Sequence, residues 1–147
     1  LVTVIGGAAA LVLLVVIGVS VLLYFVHRSG SSDQAGNVNT IVNESFSAPF
    51  DKPASFKITF PNGAKNSRVV GGFKVTSGSA VNFFILSDAQ FQQWSSGAAK
   101  ASLFQRQQTP MAKIRQLLQP GTYYILFAAP DPNTPVTVAA ELYSKYD

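Results

Sequence analysis

From Leu1 to Val26 the chain carries no charged side chain (LVTVIGGAAALVLLVVIGVSVLLYFV). A helix of that length spans about 39 Å, enough to cross a hydrocarbon core of roughly 30 Å with some tilt. A helix apolar on every face needs surroundings that are apolar on every face. A cleaved secretory segment has a shorter apolar core, of about 7–15 residues, behind a basic stretch. This run is longer and has no basic flank before it. The expectation is a retained transmembrane helix over residues 1–28. The sequence starts at Leu1 without Met, which fits a processed N-terminus or a missing upstream segment. An upstream basic segment would place the rest of the chain outside the cytoplasm, the orientation favoured here, although Arg28 on the near flank argues the other way.

Within that helix Gly6, Gly7 and Ala10 form a patch of small residues at a spacing that lets a second helix approach closely. Tyr24 and Phe25 fall where an aromatic belt meets the headgroups. His27 and Arg28 reach the phosphate level. The bland alternative for the small residues is that Gly and Ala are common in membrane helices.

Residues 29–45 are rich in Ser, Gly and Asn and poor in large apolar groups, and are expected to form a flexible linker. Asn43-Glu44-Ser45 fits the N-glycosylation pattern, a triplet that arises often by chance. Residues 46–147 suffice for one compact domain and not two.

In that domain the pattern changes to period two. Phe56, Ile58 and Phe60 alternate with Ser55, Lys57 and Thr59 ahead of a Pro61-Asn62-Gly63 turn. Val69 to Val75 reads as a strand, and Gly71-Gly72 inside it signals a bulge or a close backbone approach. Ala80 to Leu86 is apolar on nearly both faces. Ser87 or Asp88 caps a short helical turn with Phe91 and Trp94 packing inward. Ser102–Gln107 and Met111–Leu118 read as two strands, the second with some helical propensity. Thr122 to Ala129 is the strongest strand, being β-branched and aromatic. Val136, Val138, Ala140 and Leu142 alternate in a last one. Seven to eight strands with turns every 8–12 residues predict an all-β antiparallel sandwich of the jelly-roll or immunoglobulin-like kind.

Three stretches carry a family resemblance. Gly72-Phe73-Lys74-Val75-Thr76 leads into Val81 to Leu86. Ser87-Asp88-Ala89-Gln90-Phe91-Gln92-Gln93-Trp94 follows. The third is Leu118-Gln119-Pro120-Gly121-Thr122-Tyr123-Tyr124-Ile125-Leu126-Phe127. Together they make residues 68–143 resemble the GOLD and related pre-peptidase C-terminal β-sandwich domains. The resemblance implies a sandwich fold and a role as an extracytoplasmic or lumenal interaction module, with no shared catalytic residues. In eukaryotic GOLD proteins the sandwich precedes the membrane helix and usually carries a disulfide. Here the helix comes first and cysteine is absent, so a cargo-receptor role does not transfer.

The absence of cysteine excludes disulfides, thiol catalysis and Cys-based metal sites. His27 is the only histidine and lies at the membrane edge, which closes a Ser–His–Asp triad and a histidine-rich metal site in the sandwich. The carboxylates Asp33, Glu44, Asp51, Asp88, Asp131, Glu141 and Asp147 are scattered, mostly at turns and caps. Asp131 and Asn133 fall far short of the donors a calcium ion needs. No catalytic residue, metal or cofactor is expected. The net charge of +4 is too mild and too dispersed for nucleic acid, and no small-molecule substrate is expected.

Two features suit binding. No acidic residue lies between Asp88 and Asp131, where Lys100, Arg106, Lys113 and Arg115 fall. On neighbouring strands they would form one basic face for anionic headgroups or an acidic partner; the bland alternative is a solvated face with charges that block edge aggregation. Trp94, Tyr123, Tyr124, Tyr143 and Tyr146 are candidate contact aromatics, with core packing the alternative for Trp94, Phe83 and Phe127. The expected role is a non-catalytic, single-pass accessory subunit of a larger membrane protein complex. Its partners would be integral membrane proteins and the lipid bilayer. The alternatives are a pilin-like filament subunit and a surface module for glycans or peptides.

Overall fold

The computed structural model describes residues 36–98 and 100–147. The expected transmembrane helix, its patch Gly6, Gly7 and Ala10, and the interface residues Tyr24, Phe25, His27 and Arg28 lie outside the described residues. Among those described, no helix is long and apolar enough to cross a membrane.

The described chain runs β1 (Asn37–Ser47), β2 (Ala54–Phe60), β3 (Arg68–Ser77), β4 (Val81–Ser87), α1 (Asp88–Ser95), β5 (Phe104–Thr109), β6 (Met111–Leu117), β7 (Gly121–Ala128) and β8 (Thr137–Tyr146). Two four-stranded sheets form, ordered β1-β8-β3-β6 and β2-β7-β4-β5. Antiparallel pairs β1·β8, β2·β7, β3·β6 and β4·β5 all occur. That nesting is a long hairpin rolled up on itself, the jelly-roll arrangement of an antiparallel sandwich. It leaves β1 and β2 at one margin and β5 and β6 at the other.

Alternation decides which face each strand buries. In β2, Ile58 and Phe60 are buried while Ser55, Lys57 and Thr59 are exposed. In β8, Val138, Ala140, Leu142 and Ser144 are buried with half-buried residues between them. Strands β4 and β7 are buried on both faces. Their inward residues Val81, Phe83, Ile85, Tyr123, Ile125 and Phe127 join the core between the sheets. Their outward residues Phe84, Leu86 and Leu126 form a second cluster under Phe91 and Trp94 of α1. Burying each such side chain stabilises the fold by about 1.5–3 kcal/mol, which explains why a helix this short persists. Ser87 is its N-cap, with a full capping box: its Oγ accepts from the Gln90 N–H, and the Gln90 side chain accepts from the Ser87 N–H. Phe91 and Trp94 therefore pack inward as expected, but onto the outer side of a sheet and not into the main core.

The expected linker is corrected at its C-terminal part. Residues 37–45 belong to β1, paired with β8 from Asn37↔Tyr146 to Ser47↔Thr137. Only Val42 is buried, and a bulge between Thr40 and Val42 interrupts the alternation. Backbone pairing holds this margin strand, and hydropathy does not register backbone pairing.

Loops close the two ends. Lys65 and Asp147 exchange backbone hydrogen bonds, at 2.9 and 2.8 Å, and Leu118 donates to the Ser67 carbonyl. At the other end Gln108 has a positive φ, its N–H bonded to the Asn82 side chain at 2.8 Å, and the Pro110 carbonyl accepts from Val75 at 2.8 Å. That clasp lets a single residue, Pro110, join β5 in one sheet to β6 in the other.

Candidate functional site

The four basic residues of the acid-free stretch do not share one face. Lys113 and Arg115 flank Ile114, which is buried, so both project from the outer side of the β1-β8-β3-β6 sheet. The Lys100 ammonium lies 4.1 Å from the centre of the Trp94 ring, which covers the outer side of the opposite sheet. The Arg106 guanidinium lies 4.6 Å from the Phe104 ring, itself packed against the main core. The expectation of one basic face is therefore corrected. Neighbours in sequence, β5 and β6 are margins of different sheets. Their charges fall on both sides of one edge of the sandwich.

That edge also concentrates exposed apolar surface. Met111 and Leu117 are 53% and 65% exposed, and Leu103, just before β5, is 49% exposed. Sequence reading did not single these out. The signal was there in the alternation of Met111, Lys113, Arg115 and Leu117 against Ala112, Ile114 and Gln116. Two large apolar side chains thus stand exposed on the same strand face as two cations.

Beside β6 the same outer surface carries Val70 and Gly72 of β3, then Glu141 and Tyr143 of β8. The Tyr143 hydroxyl donates to a Glu141 carboxylate oxygen. This hydrogen bond, then partial burial, then the carboxylate charge push the Tyr143 phenol up to about 12. The sign follows directly. Below pH 10 the phenol is protonated in both folded and unfolded chains, and the bond contributes its full stability. Between pH 10 and about 12 the unfolded chain releases the proton and the folded chain keeps it, so that contribution is lost as pH rises. In ultraviolet titration of phenolate absorbance, a late component assigned to Tyr143 is expected. Glu141→Gln should bring it down toward the ordinary tyrosine range.

Elsewhere, the loops between β1 and β2 and between β7 and β8 enclose a groove of about 510 Å³ lined by Pro49, Phe50, Asp51, Asp131, Pro132 and Pro135. The Asp131 carboxylate accepts from the Asn133 N–H at 2.8 Å, a local turn contact. No group of three or more potential metal-ligating side chains occurs among the described residues. Asp88 sits in the first turn of α1, and Asp147 accepts from Asn66. Tyr123 is buried with its hydroxyl on the Gln119 carbonyl, and Tyr124 stacks on Phe91 at 3.8 Å. Tyr123 is therefore a packing residue, while Tyr124 is half-buried against α1. Phe83 and Phe127 lie in the main core.

No family model matches the chain, and a search of curated proteins finds no similar sequence.

Proposed function

We propose that this protein is a non-catalytic, single-pass membrane protein whose β-sandwich binds partner subunits of a larger membrane complex on the extracytoplasmic side. The observation that carries this reading is the β5–β6 edge, where exposed Met111 and Leu117 bracket Lys113 and Arg115 on one strand. Exposed apolar side chains collected with like charges at one margin suit a surface that is covered when a partner docks. The uncharged run Leu1–Val26 supplies the membrane half of the proposal. The GOLD-like resemblance of residues 68–143 supports the same role, since such sandwiches serve as interaction modules.

Two measurements test the reading together. After carbonate washing of native membranes, the intact protein should stay in the pellet. After extraction in mild detergent, it should co-purify with integral membrane proteins in fixed proportion, and Gly6→Leu should loosen that assembly. Release by carbonate defeats the anchor. Recovery as a lone monomer defeats the subunit role.

A further inference from the structure

Strand β6 is the last strand of its sheet, paired on one side with β3. Its backbone phase follows from two bonds that continue the β3–β6 register beyond both ends. Leu118 donates to the Ser67 carbonyl at 2.9 Å, and the Pro110 carbonyl accepts from Val75 at 2.8 Å. In an antiparallel pair, hydrogen-bonded and non-bonded positions alternate. Residues 110, 112, 114, 116 and 118 therefore face β3 with their backbone groups, and the odd-numbered residues turn theirs to the margin. On that margin the Leu117 carbonyl is already taken by the Gln116 side chain, which donates to it at 3.0 Å. The odd-numbered residues are also those whose side chains project outward, because Ile114 between them is buried. Met111 and Arg115 thus offer backbone and side chain to the same neighbour.

We infer that β6 is a docking strand for an extended acidic segment of a partner protein, which adds to the sheet edge as a further strand. Backbone bonds would hold it and alternate side chains would select it. The side-chain row on β6 reads apolar, cationic, cationic, apolar. The complementary strand reads apolar, acidic, acidic, apolar at every second position. Glu141 shares the outer face with Lys113, with only Gly72 between them in register, whereas the row that runs from Arg115 through Val70 to Tyr143 holds no acidic side chain. A second copy fits badly, since antiparallel pairing of β6 with itself centred on Ile114 sets Lys113 opposite Arg115. An anionic lipid surface would meet the charges but provides no ladder for the marginal backbone groups of Met111 and Arg115.

This inference rests on the partner-binding reading above and is tested separately from it. The full chain in mild detergent is titrated with a labelled synthetic peptide as long as β6, carrying valine, glutamate, glutamate and valine at alternate positions with threonine between. A lysine-for-glutamate peptide and an acidic peptide N-methylated at the edge-facing amides serve as controls. The acidic peptide is expected to bind and to slow hydrogen exchange across residues 111–117, and neither control should bind comparably. Arg115→Glu, at an exposed position and with its fold checked by thermal melting, should weaken the acidic peptide about tenfold and favour the lysine peptide. Four results would each overturn the proposal: no binding of the acidic peptide, equal binding of the N-methylated peptide, protection outside 111–117, or indifference to Arg115→Glu. Displacement by phosphatidylserine vesicles would overturn it in favour of lipid, and self-association abolished by Arg115→Glu in favour of a second copy. Failure here with partner co-purification intact refutes the edge alone. A lone monomer from native membranes refutes the wider reading.

Discussion

Gly71→Ala is expected to lower the stability of the sandwich by about 3 kcal/mol or more, from a combination of backbone strain and steric overlap. Gly71 has a φ of +133°, a region that residues with a Cβ rarely enter. A Cβ there would lie 2.0 Å from the Glu141 carbonyl oxygen and 3.0 Å from the Leu142 Cα. Both neighbours are backbone atoms of β8, which pairs with β1 on one side and β3 on the other. They cannot yield without breaking a ladder. Gly72→Ala is the internal control. Its φ is not in the strained region, and its Cβ would meet the Ala112 carbonyl oxygen at 2.9 Å. That oxygen belongs to the marginal strand β6, which has no further strand to hold it in place. Chemical denaturation followed by circular dichroism should rank Gly71→Ala well below Gly72→Ala. Equal midpoints would show that the close contact with β8 does not constrain the fold.

The close approach at Gly71 was legible in the sequence, because two adjacent glycines in an alternating strand have few other uses. The strongly apolar strands were legible for a related reason. In β4 and β7 nearly every side chain is removed from water, so composition alone marks them. The margin strands were harder. β1 offers few apolar side chains and is held by its ladder to β8, so its first nine residues looked like linker. Spatial grouping of the charges was also out of reach. Lys113 and Arg115 share a face because they lie two apart on one strand. Arg106 is separated from them by Pro110, where the chain passes between sheets. Sequence order gives no sign of that crossing. The edge-facing phase of β6 emerges only from the Leu118–Ser67 and Val75–Pro110 bonds.

Phe127→Ala should be the most damaging truncation in the core, costing about 4 kcal/mol. The Phe127 ring makes edge-on contacts across the whole thickness of the sandwich. Phe46 of β1 and Phe73 of β3 approach it from the opposite sheet, with ring centres 5.1 and 5.3 Å away. Phe83 of β4 and Phe56 of β2 approach it within its own sheet, at 5.1 and 6.3 Å. Four aromatic neighbours from four strands cannot all relax into the space left by one ring, so a cavity remains and its cost adds to the lost burial. Against a typical domain stability of about 5–15 kcal/mol, this removes a large share. Trp94→Ala offers the contrast. Trp94 sits on the outer cover, beside Phe84 at 5.3 Å, and is only partly buried. Its loss should release α1 and expose Phe84, Leu86 and Leu126 while the two sheets stay paired. Hydrogen exchange separates the outcomes: Phe127→Ala should accelerate exchange in both sheets together, and Trp94→Ala should accelerate it in α1 first. If Trp94→Ala unfolded both sheets as readily as Phe127→Ala, the division into an inter-sheet core and a helix-covered outer cluster would be wrong.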